Sequence, residues 1–202
     1  MNSRLCHPGK GFFCEVTDMN GSENALKAKI MNETDVRRAL ARMAHEIIEQ
    51  NDPLEQVMLV GIRRRGIPLA CRLRDLILQY AGIELQTGEV DISMYRDDLT
   101  CISEQPRVGS TRFPSTVSGR TVILVDDVLY TGRTARAALE AVMDEGRPAC
   151  VRLAVLVDRG HRELPIRPDY IGKNIPTSHK ERVGVSVQEI DGIDGVSLYS
   201  MD

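Results

Sequence analysis

The sequence has no hydrophobic run long enough to cross a membrane. A spanning helix needs about 20 consecutive apolar residues, and no stretch of the 202-residue chain approaches that length. The first residues also lack the apolar core of a signal peptide. We therefore expect a cytoplasmic protein with no membrane partner.

Paired cysteines are missing as well. The chain has five cysteines, which are scattered along it, and no two of them are spaced as Cys-x-x-Cys. Disulfide frameworks and zinc sites use even numbers or close pairs of ligands. The pattern predicts reduced thiols, as in a cytoplasmic protein.

Positive charge is not in excess. The chain carries 29 acidic and 26 basic residues, a formal net charge of −3. This balance excludes a bulk attraction to nucleic acid, so any RNA binding has to come from a local basic surface. The hydrophobic content of 42% is that of an ordinary globular protein. A chain of this length fits one well-packed α/β domain.

The most informative stretch is residues 122–134. Val122–Val125 predict a buried strand of a parallel sheet, and Asp126 and Asp127 follow at its carboxyl end, where open α/β sheets bind ligands. The loop Thr131–Thr134 then leads into a predicted helix, whose N-terminus suits a phosphate. Carboxylates for two sugar hydroxyls, followed by a phosphate loop, together indicate a ribose-5-phosphate site. The alternative is an acidic strand end that caps an ordinary helix.

Other motifs with related features do not fit this stretch. A P-loop needs a first glycine and a Gly-Lys-Ser/Thr ending, and a dinucleotide fingerprint needs three spaced glycines, whereas only Gly132 is present. A receiver domain also has an acidic pair, but there the pair ends the first strand of a domain of about 120 residues. Too little chain follows Asp127 for that arrangement.

With Asp126–Thr134 the sequence resembles the signature of type I phosphoribosyltransferases, which bind phosphoribosyl pyrophosphate (PRPP). Two longer motifs, Leu156–Arg167 and Tyr170–Ser178, resemble the PyrR family. Its members are bacterial pyrimidine-operon attenuators that are also uracil phosphoribosyltransferases. The resemblance runs from about Asn32 to the end of the sequence.

The resemblance implies a type I phosphoribosyltransferase fold of the α/β class. This fold has a central, mostly parallel sheet flanked by helices, with a small hood and a flexible lid loop. We expect one domain at 32–202, with the hood mainly at 158–182 and the lid at about 96–119. Residues 1–31 are predicted to be a flexible extension.

The resemblance also implies the residues of the active site. Asp126, Asp127 and Arg65 are expected to be catalytic, and Mg²⁺ is expected to arrive with PRPP without a dedicated protein ligand. The loop after a second predicted strand, Arg63–Gly66, would hold pyrophosphate through backbone N–H groups, with a strained or cis peptide; a surface basic cluster is the alternative. The residues expected to contact PRPP or UMP are Arg64, Arg65, Gly66, Arg96, Asp126, Asp127, Val128, Leu129, Tyr130, Thr131, Gly132, Arg133, Thr134 and Arg159.

At two positions, Arg64 and His161, the role of the side chain stays open, and a third, Tyr130, limits which base can be the substrate. Many PyrR sequences have a small hydroxyl residue where Arg64 stands, so the role of its side chain stays open. Purine enzymes of similar signature carry an aspartate at the place of Tyr130, which disfavours a purine substrate here. Tyr130 is expected to shape or stack on the base, since its ordinary pKa near 10 suits no general base at neutral pH. For His161, catalysis, base positioning and RNA contact all stay open.

Basic residues in two regions suggest an RNA surface. The first predicted helix has Thr34 as its expected N-cap and apolar residues at helical spacing. The RNA-facing residues that the resemblance implies are Arg37, Arg38, Arg42, His45, Arg162, Arg167 and Lys173. An ordinary solvated face is the alternative for the helix. The expected partners are a pyrimidine leader messenger RNA, uracil, UMP and UTP, and a second copy of the chain in a homodimer or larger oligomer.

Two functions therefore compete. The first is a bifunctional protein that synthesises UMP and also regulates transcription attenuation by binding RNA in response to uridine nucleotides. The second is a uracil salvage enzyme without RNA regulation. A purine salvage enzyme is a weaker third possibility, opposed by Tyr130.

Overall fold

A five-stranded parallel sheet forms the centre of the computed structural model, which describes residues 25–92 and 111–201. Its strands lie in the order β3-β2-β4-β5-β6, and every neighbouring pair is parallel. The strands of this sheet are β2 (Val57–Ile62), β3 (Gln86–Val90), β4 (Thr121–Leu129), β5 (Cys150–Asp158) and β6 (Tyr170–Asn174). The central parallel sheet expected from the family resemblance is confirmed.

Helices cover both faces of the sheet. They are α1 (Glu33–Gln50), α2 (Gly66–Ala81) and α3 (Arg133–Glu145), and a single turn, α4, spans Gln188–Asp191. Along β4, Ile123 and Val125 pack into the cluster under α1 and α2, whereas Val122 and Leu124 pack into the cluster under α3. Burial on both faces explains why the central strands are continuous apolar runs. No helix among the described residues is long and apolar enough to cross a membrane.

The first helix begins two residues earlier than the sequence suggested. The Asn32 side chain accepts a hydrogen bond from the Asp35 N–H, and the Asp35 carboxylate accepts one from the Asn32 N–H, each at 3.0 Å. This reciprocal pair is a capping box. The predicted cap Thr34 is wrong, because it lies inside the first turn.

The strands of the structure differ from two predicted boundaries, that of the N-terminal extension and that of the hood. A second, antiparallel sheet bears on the first of them. It has the order β1-β8-β7, with β1 at Ala25–Met31, β7 at Glu181–Ser186 and β8 at Gly195–Ser200. Residues 25–31 of the predicted extension therefore belong to the fold, since β1 pairs with β8. Residues 1–24 lie outside the described part of the chain. Within the predicted hood, β6 instead extends the central sheet.

Only the end of the predicted lid loop lies among the described residues. Arg112 forms a bridge to Glu89 of β3, with both backbone hydrogen bonds at 2.8 Å. Residues 93–110, which include Arg96, lie outside the described ranges. The expectations for the lid and for Arg96 therefore stay predictions.

Candidate active site

The two predicted carboxylates lie where β2 and β4 part. β4 continues to Leu129, so Asp126 and Asp127 belong to the strand itself. The pairing of β2 with β4 ends at Val125, while β5 stays paired with β4 to its last residue. One edge of β4 is therefore open beside the carboxylates, which creates a crevice at the carboxyl ends of the strands.

The carboxylate pair has an unusual electrostatic environment. Asp126 is only 8% exposed, and its Oδ1 accepts a hydrogen bond of 2.9 Å from the Asp127 N–H. Burial, reinforced by the negative charge of Asp127, raises the pKa of Asp126 well above its usual value. Asp127 is half-buried, and its Oδ1 accepts from the Val128 N–H at 2.9 Å. A partner that donates hydrogen bonds or carries positive charge would relieve this repulsion.

The loop after β4 is shaped for a phosphate. Gly132 adopts a left-handed conformation with φ 96° as the N-cap of α3 and has no side chain with which to cap the helix. The Arg133 N–H donates to Thr131 Oγ1 at 3.4 Å, and the N–H groups that follow it in the first turn are available to an anion. The Thr131 carbonyl oxygen accepts hydrogen bonds from the N–H groups of Glu163 and Leu164, at 3.0 and 3.1 Å. These contacts fix the loop on the segment that follows β5.

The Arg162 side chain supports the same loop through hydrogen bonds to backbone carbonyl oxygens. Its guanidinium donates to the Tyr130 carbonyl at 2.8 Å and to the Ile166 carbonyl at 2.9 Å, and it forms an ion pair of 2.6 Å with Asp158. A side chain engaged in this way supports the phosphate loop, and its geometry gives no support to the predicted RNA contact of Arg162. Arg133 is also on the loop and forms an ion pair of 2.9 Å with Glu163.

The arginine loop, residues 63–66, ends β2 on the other side of the crevice. The peptide between Arg63 and Arg64 is cis, as the sequence suggested for this loop. Gly66 starts α2 so close to β4 that a Cβ there would lie 2.2 Å from the Val125 carbonyl oxygen. Arg64 is exposed, whereas the Arg65 guanidinium donates to both carboxylate oxygens of Asp191, at 3.1 and 2.8 Å. Sequence reasoning missed Asp191.

Arg159 and Tyr130 directly follow the carboxyl ends of the neighbouring strands β5 and β4. The Arg159 guanidinium lies 4.0 Å from the centre of the Tyr130 ring and donates to the Glu181 carbonyl at 2.7 Å. Burial lowers the pKa of Arg159 below its usual value. His161 meets the Tyr130 ring edge-on and contacts His179, with ring centres 4.0 Å apart. The arrangement places a planar cation and a planar ring where a base could stack.

The predicted RNA residues fall into separate places. The Arg42 guanidinium donates to the carbonyl oxygens of Ile171 and Gly172, at 3.0 and 2.6 Å. It therefore lies beside Lys173 in a groove of about 460 Å³ between α1 and β6. Arg37, Arg38, Lys173 and Arg167 are exposed. His45 instead stacks on Tyr80 of α2, with ring centres 4.3 Å apart.

Comparison with known proteins agrees with this geometry. Residues 29–190 match the family model of the phosphoribosyl transferase domain. The bifunctional protein PyrR of Clostridium perfringens is 55% identical over 174 residues, which cover 86% of this chain and 98% of that protein. The protein of the same name from Thermus aquaticus is 56% identical over 177 residues, which cover 88% of this chain and 98% of the relative.

A solved structure supports the fold. The hypoxanthine phosphoribosyltransferase of Trypanosoma cruzi superimposes with a TM-score of 0.66 at 15% identity, covering 88% of this chain and 98% of that one. Identity this low bears on the fold alone. The matching family model and the identities above 50% over nearly the whole length of the relatives show the family. The chain therefore belongs to the phosphoribosyltransferases and, among them, to the PyrR family of bifunctional proteins.

Proposed function

We propose that the chain transfers the phosphoribosyl group of PRPP to uracil, giving UMP and pyrophosphate. The observation that carries the proposal is the position of Asp126 and Asp127. They lie in a crevice with a phosphate loop on one side and an arginine loop on the other. The 5-phosphate would bind at the start of α3, the ribose hydroxyls at the carboxylates, and the pyrophosphate at residues 63–66.

The charges in the crevice match the charge that develops in the reaction. The bond from the sugar C1 to pyrophosphate breaks with its electron pair leaving on pyrophosphate, and positive charge builds on the ribose. Asp126 and Asp127 place negative charge beside that cation, while the arginine loop stabilises the departing anion. Uracil N1 then bonds to C1, and its proton passes to the departing pyrophosphate or to water. Holding N1 opposite the leaving group supplies further acceleration by orientation.

Mg²⁺ is proposed to enter with PRPP, because pyrophosphate oxygens are the hard ligands that this ion prefers. When bound, it would neutralise part of the pyrophosphate charge. Among residues 25–92 and 111–201, no group of three or more His, Cys, Asp or Glu side chains could hold a metal by itself. Asp126 and Asp127 offer carboxylate oxygens at the same strand end, so the donors present fit an ion that is bound mainly by substrate.

The base end of the crevice favours uracil over purines. Tyr130 has no carboxylate with which to bind a purine ring nitrogen, and Arg159 lies over its ring at 4.0 Å. The test is to incubate the purified protein with PRPP, Mg²⁺ and one base at a time. UMP is expected from uracil, with little product from hypoxanthine or guanine. Faster turnover of either purine would contradict the proposal.

We further propose RNA binding at the groove between α1 and β6, extended by exposed Arg37, Arg38 and Arg167. Arg42 and Lys173 come from distant parts of the sequence and line this groove together, with Glu46 and Asp169 also in its lining. The RNA would be a hairpin in the leader of a pyrimidine messenger RNA, bound more tightly with UMP or UTP, by a homodimer or larger oligomer. Sequence choice would come from unpaired loop bases, since the deep groove of A-form RNA is hard to reach.

Filter-binding titrations decide between the bifunctional protein and the salvage enzyme alone. The leader hairpin from the host's pyrimidine genes is compared with a scrambled hairpin, each with and without UMP. Tighter binding of the leader hairpin, strengthened by UMP, is expected. Equal affinity for both RNAs at physiological salt would leave the salvage enzyme.

A further inference from the structure

The turn α4, called the C-terminal turn below, holds the arginine loop through the carboxylate of Asp191. Asp191 receives two hydrogen bonds from the Arg65 guanidinium, at 2.8 and 3.1 Å. One oxygen of the same carboxylate also accepts the Val187 N–H at 2.8 Å, which fixes its orientation. A paired, two-point contact of this kind is among the strongest hydrogen-bonded arrangements of charged side chains.

Both members of the pair are charged at neutral pH. Burial works to raise the pKa of Asp191, but the hydrogen bonds from Arg65 and from the Val187 N–H outweigh it, and the pKa lies below its usual value. The hydrogen bond to Asp191 raises the pKa of Arg65 further, against the effect of burial. The side chains of Arg65 and Asp191 are 35% and 23% exposed, so solvent screens the pair only in part.

The turn that carries Asp191 is itself anchored to α2. Arg72 donates to both oxygens of Glu189, at 2.7 and 2.6 Å, and to both oxygens of Asp194, at 2.8 and 3.0 Å. The Gln188 N–H donates a hydrogen bond of 2.7 Å to the Asp194 carboxylate, which closes the turn. Arg65 and Arg72 lie two helical turns apart on the same face of α2, so the C-terminal turn is clamped to the helix at two points. Asp191 therefore has a rigid support.

Arg65 is held in place on both sides. Its backbone is the N-cap of α2, and the next residue, Gly66, packs against the Val125 carbonyl directly before Asp126. Because its guanidinium faces Asp191, the groups left to meet pyrophosphate are the exposed Arg64 side chain and the loop N–H groups. The position of these groups depends on where Arg65 is held.

We propose that Asp191 is a positioning residue for the pyrophosphate group: by holding Arg65, it orients the loop that binds PRPP. The inference rests on the proposed reaction and adds a residue from the opposite end of the sequence. The opposite role is that Asp191 competes with pyrophosphate for Arg65. The two roles differ in sign, because loss of a positioning residue weakens PRPP binding, whereas loss of a competitor strengthens it.

The test is Asp191→Asn, which keeps the size of the side chain and removes its charge. The KM for PRPP in UMP synthesis, and for pyrophosphate in the reverse reaction, are expected to rise on the order of tenfold. The KM for uracil is expected to stay within about twofold, because the base end is untouched, whereas kcat should fall together with PRPP binding, because the same loop stabilises the departing pyrophosphate. Glu140→Gln is the matched control and should leave these constants unchanged, since Glu140 is likewise paired with an arginine, Arg136, but lies on α3 away from this turn.

Two further variants keep the result decisive. In an Arg65→Gln background, Asp191→Asn is expected to add nothing to the KM for PRPP, because Asp191 acts through Arg65. Asp191→Glu keeps the charge but shifts it, and a rise of about threefold is expected if the position matters. An unchanged or lower KM for PRPP in the Asn and Glu variants overturns the inference, as does an equal rise in the KM for uracil. A wild-type protein that makes no UMP would instead refute the proposed function.

Discussion

The carboxyl end of β4 and the groove between α1 and β6 use charge in opposite ways. In the crevice, Asp126 is 8% exposed and Arg159 is 7% exposed. By contrast, Lys173 of the groove and Arg37 and Arg38 of α1 are exposed to solvent. Burying an ionised group is costly unless it is paired, whereas a charge in water costs little and is screened by salt. The proposed catalytic crevice thus relies on buried charge, and the proposed RNA groove on exposed charge.

This contrast predicts that damage to one region spares the other. The largest expected effect comes from Asp126→Asn with Asp127→Asn. Each charge-assisted hydrogen bond to the ribose that the variant cannot make should cost about 1.5–3 kcal/mol, so UMP synthesis should fall on the order of a thousandfold or more. Steady-state assays with PRPP and uracil measure it. RNA affinity without nucleotide, measured in parallel, should stay at the wild-type level; near-normal catalysis in the folded variant would remove the carboxylates from the mechanism.

Gly66→Ala tests the close packing beneath the crevice. Its new Cβ would come within 2.2 Å of the Val125 carbonyl oxygen, so the start of α2 has to move away from β4. Overpacking of this kind typically costs about 1–3 kcal/mol, and the arginine loop moves with the helix. Urea unfolding and the KM for PRPP should both show the change. Gly82→Ala serves as a control for strain without crowding, since nothing lies within 4 Å of its Cβ position; equal effects of both variants on KM would contradict the packing argument.

The double variant Arg38→Gln with Lys173→Gln tests the exposed charges at the proposed RNA groove. These residues are better targets than Arg42, whose guanidinium also joins α1 to Ile171 and Gly172 of β6. RNA affinity should fall on the order of tenfold at physiological salt. The log–log salt slope should flatten by about 0.7–0.9 for each phosphate that the variant no longer neutralises. UMP synthesis is the control and should not change; an unaltered salt slope would place the RNA elsewhere.

The smallest expected effect is a gain in stability from Asp126→Asn alone. The folded-state pKa of Asp126 lies above its value in the unfolded chain, so the wild-type protein loses stability as pH rises through the folded pKa. Removing the charge should therefore raise the free energy of unfolding at neutral pH. The gain should vanish below about pH 3.9, where the carboxyl is neutral in both states. Urea titrations of both proteins across this range measure it, and a loss of stability at neutral pH would contradict the assigned electrostatics.

The parts predicted from sequence are those with a local signal. β2 and β4 are buried on both faces and therefore stand out as apolar runs, and the carboxylates follow the apolar run of β4 directly. β6, with the sequence Tyr-Ile-Gly-Lys-Asn, buries Tyr170 and Gly172 on either side of Ile171 and then exposes its last two residues, so it gives no such run. Its place in the central sheet depends on pairing with β5, which a local pattern does not reveal.

Interactions between distant residues account for most of what sequence reasoning missed. Asp191 and Arg65 are separated by 126 positions, and nothing near Asp191 in the sequence marks it. Arg162 is basic and lies in a family motif, which is why the sequence groups it with the RNA residues. Its guanidinium instead donates to the carbonyl oxygen of Tyr130, the residue just before the phosphate loop. Charge type is visible in a sequence, but the direction in which a side chain points is set by the tertiary fold.

The pairing of β1 with β8 has a consequence for the order of folding. Ala25 lies opposite Ser200, so the smaller sheet joins the two ends of the described chain. During synthesis on the ribosome, the central sheet is complete once β6 has emerged, whereas β1 has to wait until its partner β8 has been made. The smaller sheet is therefore the late-forming part of the molecule. Because Asp191 lies between β7 and β8, the arginine loop acquires its carboxylate partner only at this final stage.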